Sequence, residues 1–234
     1  MKPILFSTEM VKAILNEIKR ATRRVIKGVS SGCYNAEVEV NPYITYENGK
    51  GKQLSGTYAW FYCIDSHELE FGELLKSRYE VGDVLYVRET WCEDSFYTCI
   101  LCEKIFHYKA TEPNYVKEHK PFLKRWHPSI HMPKEAARIF LKVTNVRVER
   151  LRDITEEQAI EEGCTGVKCN CQSYACTDCM NTGWLEPPTL EFMFLWDSTI
   201  KKSDIDKHGW NANPWVFAYE FERCEKPNET EVTE

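Results

Sequence analysis

The sequence predicts an α+β fold: a small, partly closed β-barrel with flanking helices and a zinc-binding loop insertion. Apolar residues alternate in several short segments, which is typical of strands, and they recur at helical spacing in three others. A dense group of cysteines occupies one polar loop between two of these segments. Five or six strands with helices at the ends suit a partly closed barrel, whereas periodicity alone supports only the α+β class.

The chain has 234 residues, which is enough for one well-filled core, and we expect a single domain over residues 1–225. Residues 31–80 are expected to form a hairpin insertion, residues 164–185 a cysteine-rich zinc loop and residues 226–234 a disordered acidic tail. The sequence has no apolar run of about 18 residues and no secretory signal pattern, so we expect no membrane span and a cytoplasmic location. A formal charge of −6 argues against non-specific duplex binding.

The first thirty residues combine an amphipathic helix with a cationic stretch. A strand over residues 3–6 leads into a helix over residues 8–18, which Ser7 or Thr8 can cap. The apolar face of this helix carries Met10, Val11, Ile14, Leu15 and Ile18. Beyond it, one hydroxyl, that of Thr22, is surrounded by Lys19, Arg20, Arg23 and Arg24. These cations form either a solvated helix end that complements the dipole or an anion-contacting or catalytic loop.

The remaining elements follow from alternation and turn signals. Residues 31–80 are predicted to form one or two hairpins, whose aromatic residues are interpreted as packing, with a base-stacking surface as the alternative. Further strands are predicted at 84–91, 97–110, 137–151 and 215–223, a loop at 111–133, and helices at 155–162 and 190–200. Thr155 is expected to cap the first of these helices. The strand at 137–151 presents a basic side made of Arg138, Lys142, Arg147 and Arg150.

Four cysteines within eleven residues predict a structural zinc site. They are Cys169, Cys171, Cys176 and Cys179, in a C-x-C-x4-C-x2-C pattern. So short a spacing lets four thiolates converge on tetrahedral zinc, whose binding would stabilise a loop that has almost no core. Unbound thiols and an iron–sulfur cluster are the alternatives. A second site from Cys92, Cys99, Cys102 and His107 is a weaker hypothesis, because it contains only half a motif.

Five stretches in sequence resemble the ASCH domain family, a branch of the PUA-like barrels. They are the pattern Lys19–Thr22–Arg23, residues 82–91, residues 128–133, the alternating run that follows, and residues 151–163. The resemblance covers most of residues 2–30, 80–165 and 190–223 and is closest to ASCH proteins of bacteriophages and prophages. It implies a PUA-like barrel and, for a phage protein, the cytoplasm of a bacterial host.

The resemblance also implies candidate catalytic residues. ASCH members that hydrolyse N4-acetylcytidine use a Lys, a Thr three residues later and a Glu from a later helix, which here correspond to Lys19, Thr22 and Glu162, with Glu161 as the fallback. The Gly-Arg that usually precedes the Lys is Glu17-Ile18 here. Neighbouring cations would favour an uncharged Lys19, which could deprotonate Thr22 for attack on an amide carbonyl. Alternatively, Glu162 activates a water and Thr22 only binds substrate.

Other candidates for substrate binding are charged or aromatic residues near predicted strand ends: Arg23, Arg24, Glu89, Trp91 and His131. Glu89 is expected to pair with Arg23 or Arg24. Three functions remain open: an amidohydrolase of an acylated pyrimidine nucleoside, a module that binds RNA or a modified base, and a phage accessory protein that docks on a host protein. A ribonuclease is a further enzymatic variant, disfavoured as a metal-dependent enzyme because no carboxylate-rich metal site is evident.

Overall fold

The computed structural model describes most of the chain. The described residues are 1–30, 32–45, 50–64, 70–94, 104–120, 123, 125–170, 180 and 182–227. Contacts divide the chain into two compact units. The first unit consists of Met1–Lys19, Gly82–Val143 and Phe221–Glu234, and the second of Arg20–Val81 and Thr144–Glu220. Within the described part the fold is mixed α+β, mostly sheet with a few helices, which agrees with the predicted class.

The elements are numbered in chain order over the described residues. The strands are β1 Lys2–Leu5, β2 Ala21–Val25, β3 Cys33–Val40, β4 Tyr43–Thr45, β5 Gly51–Gln53, β6 Thr57–Ile64, β7 Glu70–Lys76, β8 Val84–Arg88, β9 Trp91–Glu93, β10 Phe106–Tyr108, β11 Phe140–Arg150, β12 Val167–Lys168, β13 Trp184–Glu186 and β14 Trp215–Cys224. The helices are α1 Thr8–Leu15, α2 Tyr115–Glu118, α3 Glu156–Glu161, α4 Pro188–Thr199 and α5 Ile205–His208. None of these helices has the length and apolar character that crossing a membrane requires.

The first unit is built around β1, β8 and the beginning of β11. β1 pairs with β8 in parallel, and β8 pairs with β11 antiparallel. Helix α1 begins after Ser7, whose side chain accepts a hydrogen bond from the Met10 amide, as the sequence predicts. Val11 and Ile14 of this helix are buried. β9 and β10 form a separate antiparallel pair in the same unit.

The second unit contains the end of β11, then β14, then β2 as neighbouring strands. A second sheet has the order β3-β6-β7, and two short pairs are β4–β5 and β12–β13. One core cluster of this unit packs α3 and α4 against β14, and its buried members are Leu151, Ile154, Ala159, Cys164, Phe192, Trp196 and Val216. α3 carries the capping box in which Thr155 and Gln158 bond to each other's backbone amides.

The structure confirms the hairpins over residues 31–80, the two later helices and the final strand, with boundaries shifted by one or two residues. The strand predicted at 84–91 is interrupted after Arg88, and a new strand begins at Trp91. The barrel differs from the prediction: among the described residues no sheet closes on itself, because strands such as β3 and β7 remain at sheet edges. Part of the strand predicted at 97–110 and most of the predicted tail lie outside the described residues.

Candidate functional site

The cationic stretch after Lys19 forms the strand β2, Ala21–Val25, which is largely buried. It is neither the solvated helix end nor the loop that the sequence left open. β2 pairs antiparallel with β14, so that Thr22 lies opposite Tyr219 and Arg23 lies opposite Ala218. Thr22 and Arg23 are each only 3% exposed. Side chains alternate along a strand, so Thr22 shares a face with Arg24, whereas Arg23 lies on the other face.

Arg23 holds together three elements of the second unit. Its Nε donates to Glu149 Oε1 at 2.7 Å, its Nη1 to Glu162 Oε1 at 3.2 Å and its Nη2 to Gln158 Oε1 at 3.0 Å. The guanidinium also lies 5.8 Å from the ring centroid of Phe192. A planar guanidinium presents several donors in a fixed fork, which suits the simultaneous binding of acceptors from β11 and α3. The charge of Arg23 is therefore satisfied within the protein.

Glu162 is positioned by the end of α3. It is the C-cap residue of that helix, and its backbone amide donates to Gln158 O. Its side chain is 3% exposed, while that of Glu161 is half-buried. The backbone carbonyl of Glu161 accepts a hydrogen bond from the Arg20 amide at 2.7 Å, which joins the end of α3 to the beginning of β2. Of the two glutamates, Glu162 is thus the one with a buried carboxylate.

Lys19 belongs to the first unit, whereas Thr22 and Glu162 belong to the second. Its side chain is 2% exposed, and its Nζ lies 5.6 Å from the ring centroid of Phe6. Glu17, at which the sequence differs from the usual ASCH pattern, has an unusual backbone conformation. Glu17 adopts a φ of 60°, a left-handed conformation that glycine enters most easily, directly after the C-cap of α1. Glu17 thus forms the turn at the end of α1 without a glycine.

Arg24 lines a cationic cavity of about 370 Å³ in the second unit. The other cations that line it are Lys27, Lys76 and Arg78, and its buried aromatic residues are Tyr79, Phe217 and Tyr219. The lining includes no Asp or Glu among the described residues. Burial lowers the pKa of the Arg24 guanidinium from its ordinary value, and the charge of Glu162 opposes this shift. Such a cavity can bind a planar anion.

Tyr219 lines this cavity and lies opposite Thr22 of β2. Its hydroxyl lies 2.9 Å from Ser77 Oγ, and its ring packs edge-on against Tyr79, with centroids 5.1 Å apart. Burial raises the pKa of the Tyr219 phenol, so its hydroxyl stays protonated near neutral pH. Because Tyr219 is the cross-strand partner of Thr22, the two side chains share one face of the pair.

The remaining predicted binding residues lie in the first unit. Glu89, which is 1% exposed, receives both Nε and Nη2 of Arg138, at 2.9 and 3.0 Å. Its partner is thus Arg138, where the sequence predicted Arg23 or Arg24. Trp91 is buried against Phe106 and stacks obliquely on His127, with ring centroids 5.2 Å apart. His131 is exposed at the end of a short 3₁₀ helix, and its amide donates to Pro128 O.

The basic side predicted for the strand at 137–151 is mostly occupied. Arg147 pairs with Glu149 and Glu220. Arg150 donates to the carbonyls of Asn213 and Cys33 and lies 4.3 Å from the ring centroid of Trp215. Arg138 precedes the strand and pairs with Glu89, as above. These three arginines therefore make contacts within their own units, whereas Lys142 of the same predicted side is exposed.

The zinc prediction falls largely outside the described residues. Of its four ligands, Cys171, Cys176 and Cys179 lie there, as do Cys99 and Cys102 of the weaker second site. Cys169 is described: it is half-buried, and its amide donates to Gly183 O. A different group within the described residues could hold a metal ion: Cys33, Cys63 and Glu73, although the two cysteines form a disulfide.

Several residues of these sites were not predicted from the sequence. Glu149 and Gln158 hold Arg23 from more than a hundred positions away, a separation at which one sequence carries no pairing signal. Lys76 and Arg78 of the cavity lie on either side of Ser77, and such a polar stretch also fits an ordinary strand end. Comparisons of the chain with models of protein families, with curated proteins and with solved structures found no match.

Proposed function

We propose that this protein is an ASCH-type member of the PUA-like group that binds RNA or a modified nucleoside at the cavity beside β2. The observation that carries the proposal is the set of four cations around that cavity, in a chain whose formal charge is −6. Phosphate groups are bound by Lys and Arg, and bases are bound by aromatic and guanidinium planes, so this lining fits a nucleotide.

The arrangement of the lining supports a nucleotide over a simple anion. Lys27, Lys76 and Arg78 are exposed and mark the rim, whereas Tyr79 and Tyr219 are nearly completely buried. Arg78 lies 5.5 Å from the ring centroid of Tyr79, a geometry that combines a cation with an aromatic face. A phosphate at the rim and a base or sugar further in would use both parts of the cavity.

The test is the affinity for a labelled single-stranded oligoribonucleotide, measured by fluorescence anisotropy. Lys27→Glu and Arg78→Glu should each weaken binding by roughly tenfold or more, because each replaces a phosphate-binding cation by an anion. Arg152→Glu is the matched control, since Arg152 is exposed in the same unit and away from the cavity. Equal affinities for the cavity variants and the control would contradict the proposal.

A second, narrower function is the hydrolysis of an N4-acetylcytidine-type amide with Lys19, Thr22 and Glu162 as catalytic residues. The observation that favours it is that Thr22 shares a face with Tyr219 and Arg24, both of which line the cavity. In this reaction the Thr22 hydroxyl oxygen would bond to the acyl carbon while the C–N bond breaks, and the amine would leave with a proton. Water would then release the acyl group as a carboxylic acid.

Release of cytidine from N4-acetylcytidine tests this activity. Thr22→Val removes the hydroxyl at nearly constant volume, and Glu162→Gln removes only the charge, so both are preferable to truncation at buried positions. The expected result is turnover by the wild type that is lost in Thr22→Val and in Glu162→Gln, while the unfolding transition of each variant is retained. Absence of turnover in a protein that still binds the oligoribonucleotide would overturn the hydrolase and leave the binding function in place.

A further inference from the structure

Two cysteines and a glutamate meet on the sheet β3-β6-β7, and they take no part in the proposed function. Cys33 begins β3 and lies directly opposite Cys63 of β6, and the two are joined in a disulfide. Their side chains are buried, at 5% and 1% exposure. The sulfur atoms and a carboxylate oxygen of Glu73 all lie within 4.8 Å of one another.

The register of the sheet brings the three side chains to one face. Glu73 of β7 lies opposite Phe61, two residues before Cys63, so Glu73 and Cys63 point to the same side. The carboxylate is also held in place, because the Ser30 amide donates to Glu73 Oε2 at 2.9 Å. The same oxygen lies 3.9 Å from Cys33 Sγ. The glutamate is therefore oriented towards the sulfur pair by a neighbouring backbone group.

This donor set has two chemical states. In the disulfide the sulfur atoms are bonded to each other and are not available as thiolates, which are the form that binds metals. After reduction, two thiolates and one carboxylate are ligands that zinc accepts, and three protein ligands leave a fourth position for water or another donor. We propose that Cys33, Cys63 and Glu73 form a redox-gated site for Zn²⁺ or a similar thiophilic divalent cation.

The gating reaction is ordinary thiol–disulfide exchange. A small dithiol transfers two electrons and two protons to the Cys33–Cys63 bond, which breaks into two thiols while the dithiol closes into its own disulfide. Binding of the divalent ion then displaces the two thiol protons. Cys33, together with Ser30 and Gly32, lines a cavity of about 310 Å³ in the second unit, so the dithiol is expected to approach the bond from the side of Cys33.

Metal content of the full-length protein tests the site. The reduced and metal-loaded wild type should hold one more equivalent of zinc per chain than Cys63→Ser, so that the cysteine-rich segment at 169–179, present in both, cancels in the comparison. Cys224→Ser is the matched control, because it removes a cysteine outside the group and should keep the full stoichiometry. In the protein oxidised before loading, wild type and Cys63→Ser should hold the same amount.

Glu73→Gln separates a metal site from a merely structural disulfide. This variant keeps both cysteines and should still form the disulfide, but its reduced form should bind Zn²⁺ at this site roughly tenfold or more weakly. Co²⁺ loading gives an independent signal: the thiolate-to-cobalt absorption of the reduced wild type should decrease in Cys33→Ser and in Cys63→Ser. Equal zinc stoichiometry and equal cobalt absorption in wild type and both serine variants would overturn the proposal.

Discussion

At the scale of single residues, the second unit depends on how its buried charges are paired. Arg23 has no exposed side-chain surface, and its acceptors Glu149 and Glu162 come from two different elements. Burial of an ion pair is expensive and gains little over apolar packing, but removal of one partner leaves a buried charge without compensation. The strand that carries the cationic stretch is therefore held in place by electrostatic complementarity as well as by apolar contacts.

Arg23→Ala should lower the free energy of unfolding by roughly 3–5 kcal/mol, because it removes the buried cation that binds the carboxylates of Glu149 and Glu162. Arg23→Lys should retain only part of the stability, because an ammonium cannot reproduce the fork of the guanidinium. Urea unfolding measures both. The control is Arg152→Ala at an exposed position, expected within about 0.5 kcal/mol of the wild type. A loss for Arg23→Ala no larger than that of the control would contradict the role assigned to the pair.

The buried thiol of Cys92 should make the free energy of unfolding depend on pH in the alkaline range. Burial, and secondarily the charges of Asp94 and Glu112, raises the pKa of its thiol to about 11. An unfolded thiol ionises near pH 8.5, so the contribution of Cys92 is complete below about pH 8.5 and is lost as the pH rises towards 11. The difference in unfolding free energy between wild type and Cys92→Ala should therefore shrink between pH 8 and pH 10. A constant difference would show that the thiol titrates normally.

At the scale of elements, the contact between β3 and β6 depends on Gly32. Gly32 has a φ of 88°, and a Cβ at this position would lie 2.2 Å from the carbonyl oxygen of Ile64. The Ile64 amide donates back to Gly32 O at 3.1 Å, so the two backbones approach closely. This approach begins the strand pairing that brings Cys33 opposite Cys63.

Gly32→Ala should therefore destabilise the protein more than Gly28→Ala, although both glycines have a positive φ. Gly28 has a φ of 83° with no atom within 4 Å of the position of a Cβ, so its substitution adds only backbone strain, of order 1 kcal/mol. Gly32→Ala adds a backbone clash to that strain. Thermal unfolding of the two variants isolates the clash, and equal losses would mean that β3 can move away from β6 without cost.

The sequence predicts elements that depend on local signals better than elements that depend on contacts between distant residues. Helix α3 was predicted with its cap at Thr155, because a capping hydroxyl and helical periodicity are local signals. β2 was not predicted, because a run of cations such as Arg23 and Arg24 is typical of a solvated surface, and the sequence does not show that Glu149, Gln158 and Glu162 bind Arg23. The catalytic role that the ASCH resemblance implies for Lys19, Thr22 and Glu162 remains a prediction. The structure shows that all three residues are buried.

At the scale of the whole molecule, a net charge of −6 limits how the protein can hold a polyanion. In the proposed complex the phosphates are neutralised by the four cations around the cavity. Counterion release then predicts a linear fall of the logarithm of the RNA association constant with the logarithm of the salt concentration. Each phosphate contact to a single strand contributes roughly −0.7 to the slope, so four contacts give a slope no steeper than about −3. Anisotropy titrations at several salt concentrations measure this slope, and a much steeper one would require another binding surface.

The composition of the two units determines when each can be completed during synthesis, which runs from the N-terminus to the C-terminus. Each unit is assembled from separated segments, and the boundaries between residues 143 and 144 and between residues 220 and 221 lie inside β11 and β14. The first unit includes both the N-terminal segment and residues from 221 onwards. The first unit therefore cannot be complete until Phe221, whose ring lies 6.1 Å from that of Phe6, has left the ribosome, about two hundred residues after the segment that ends at Lys19.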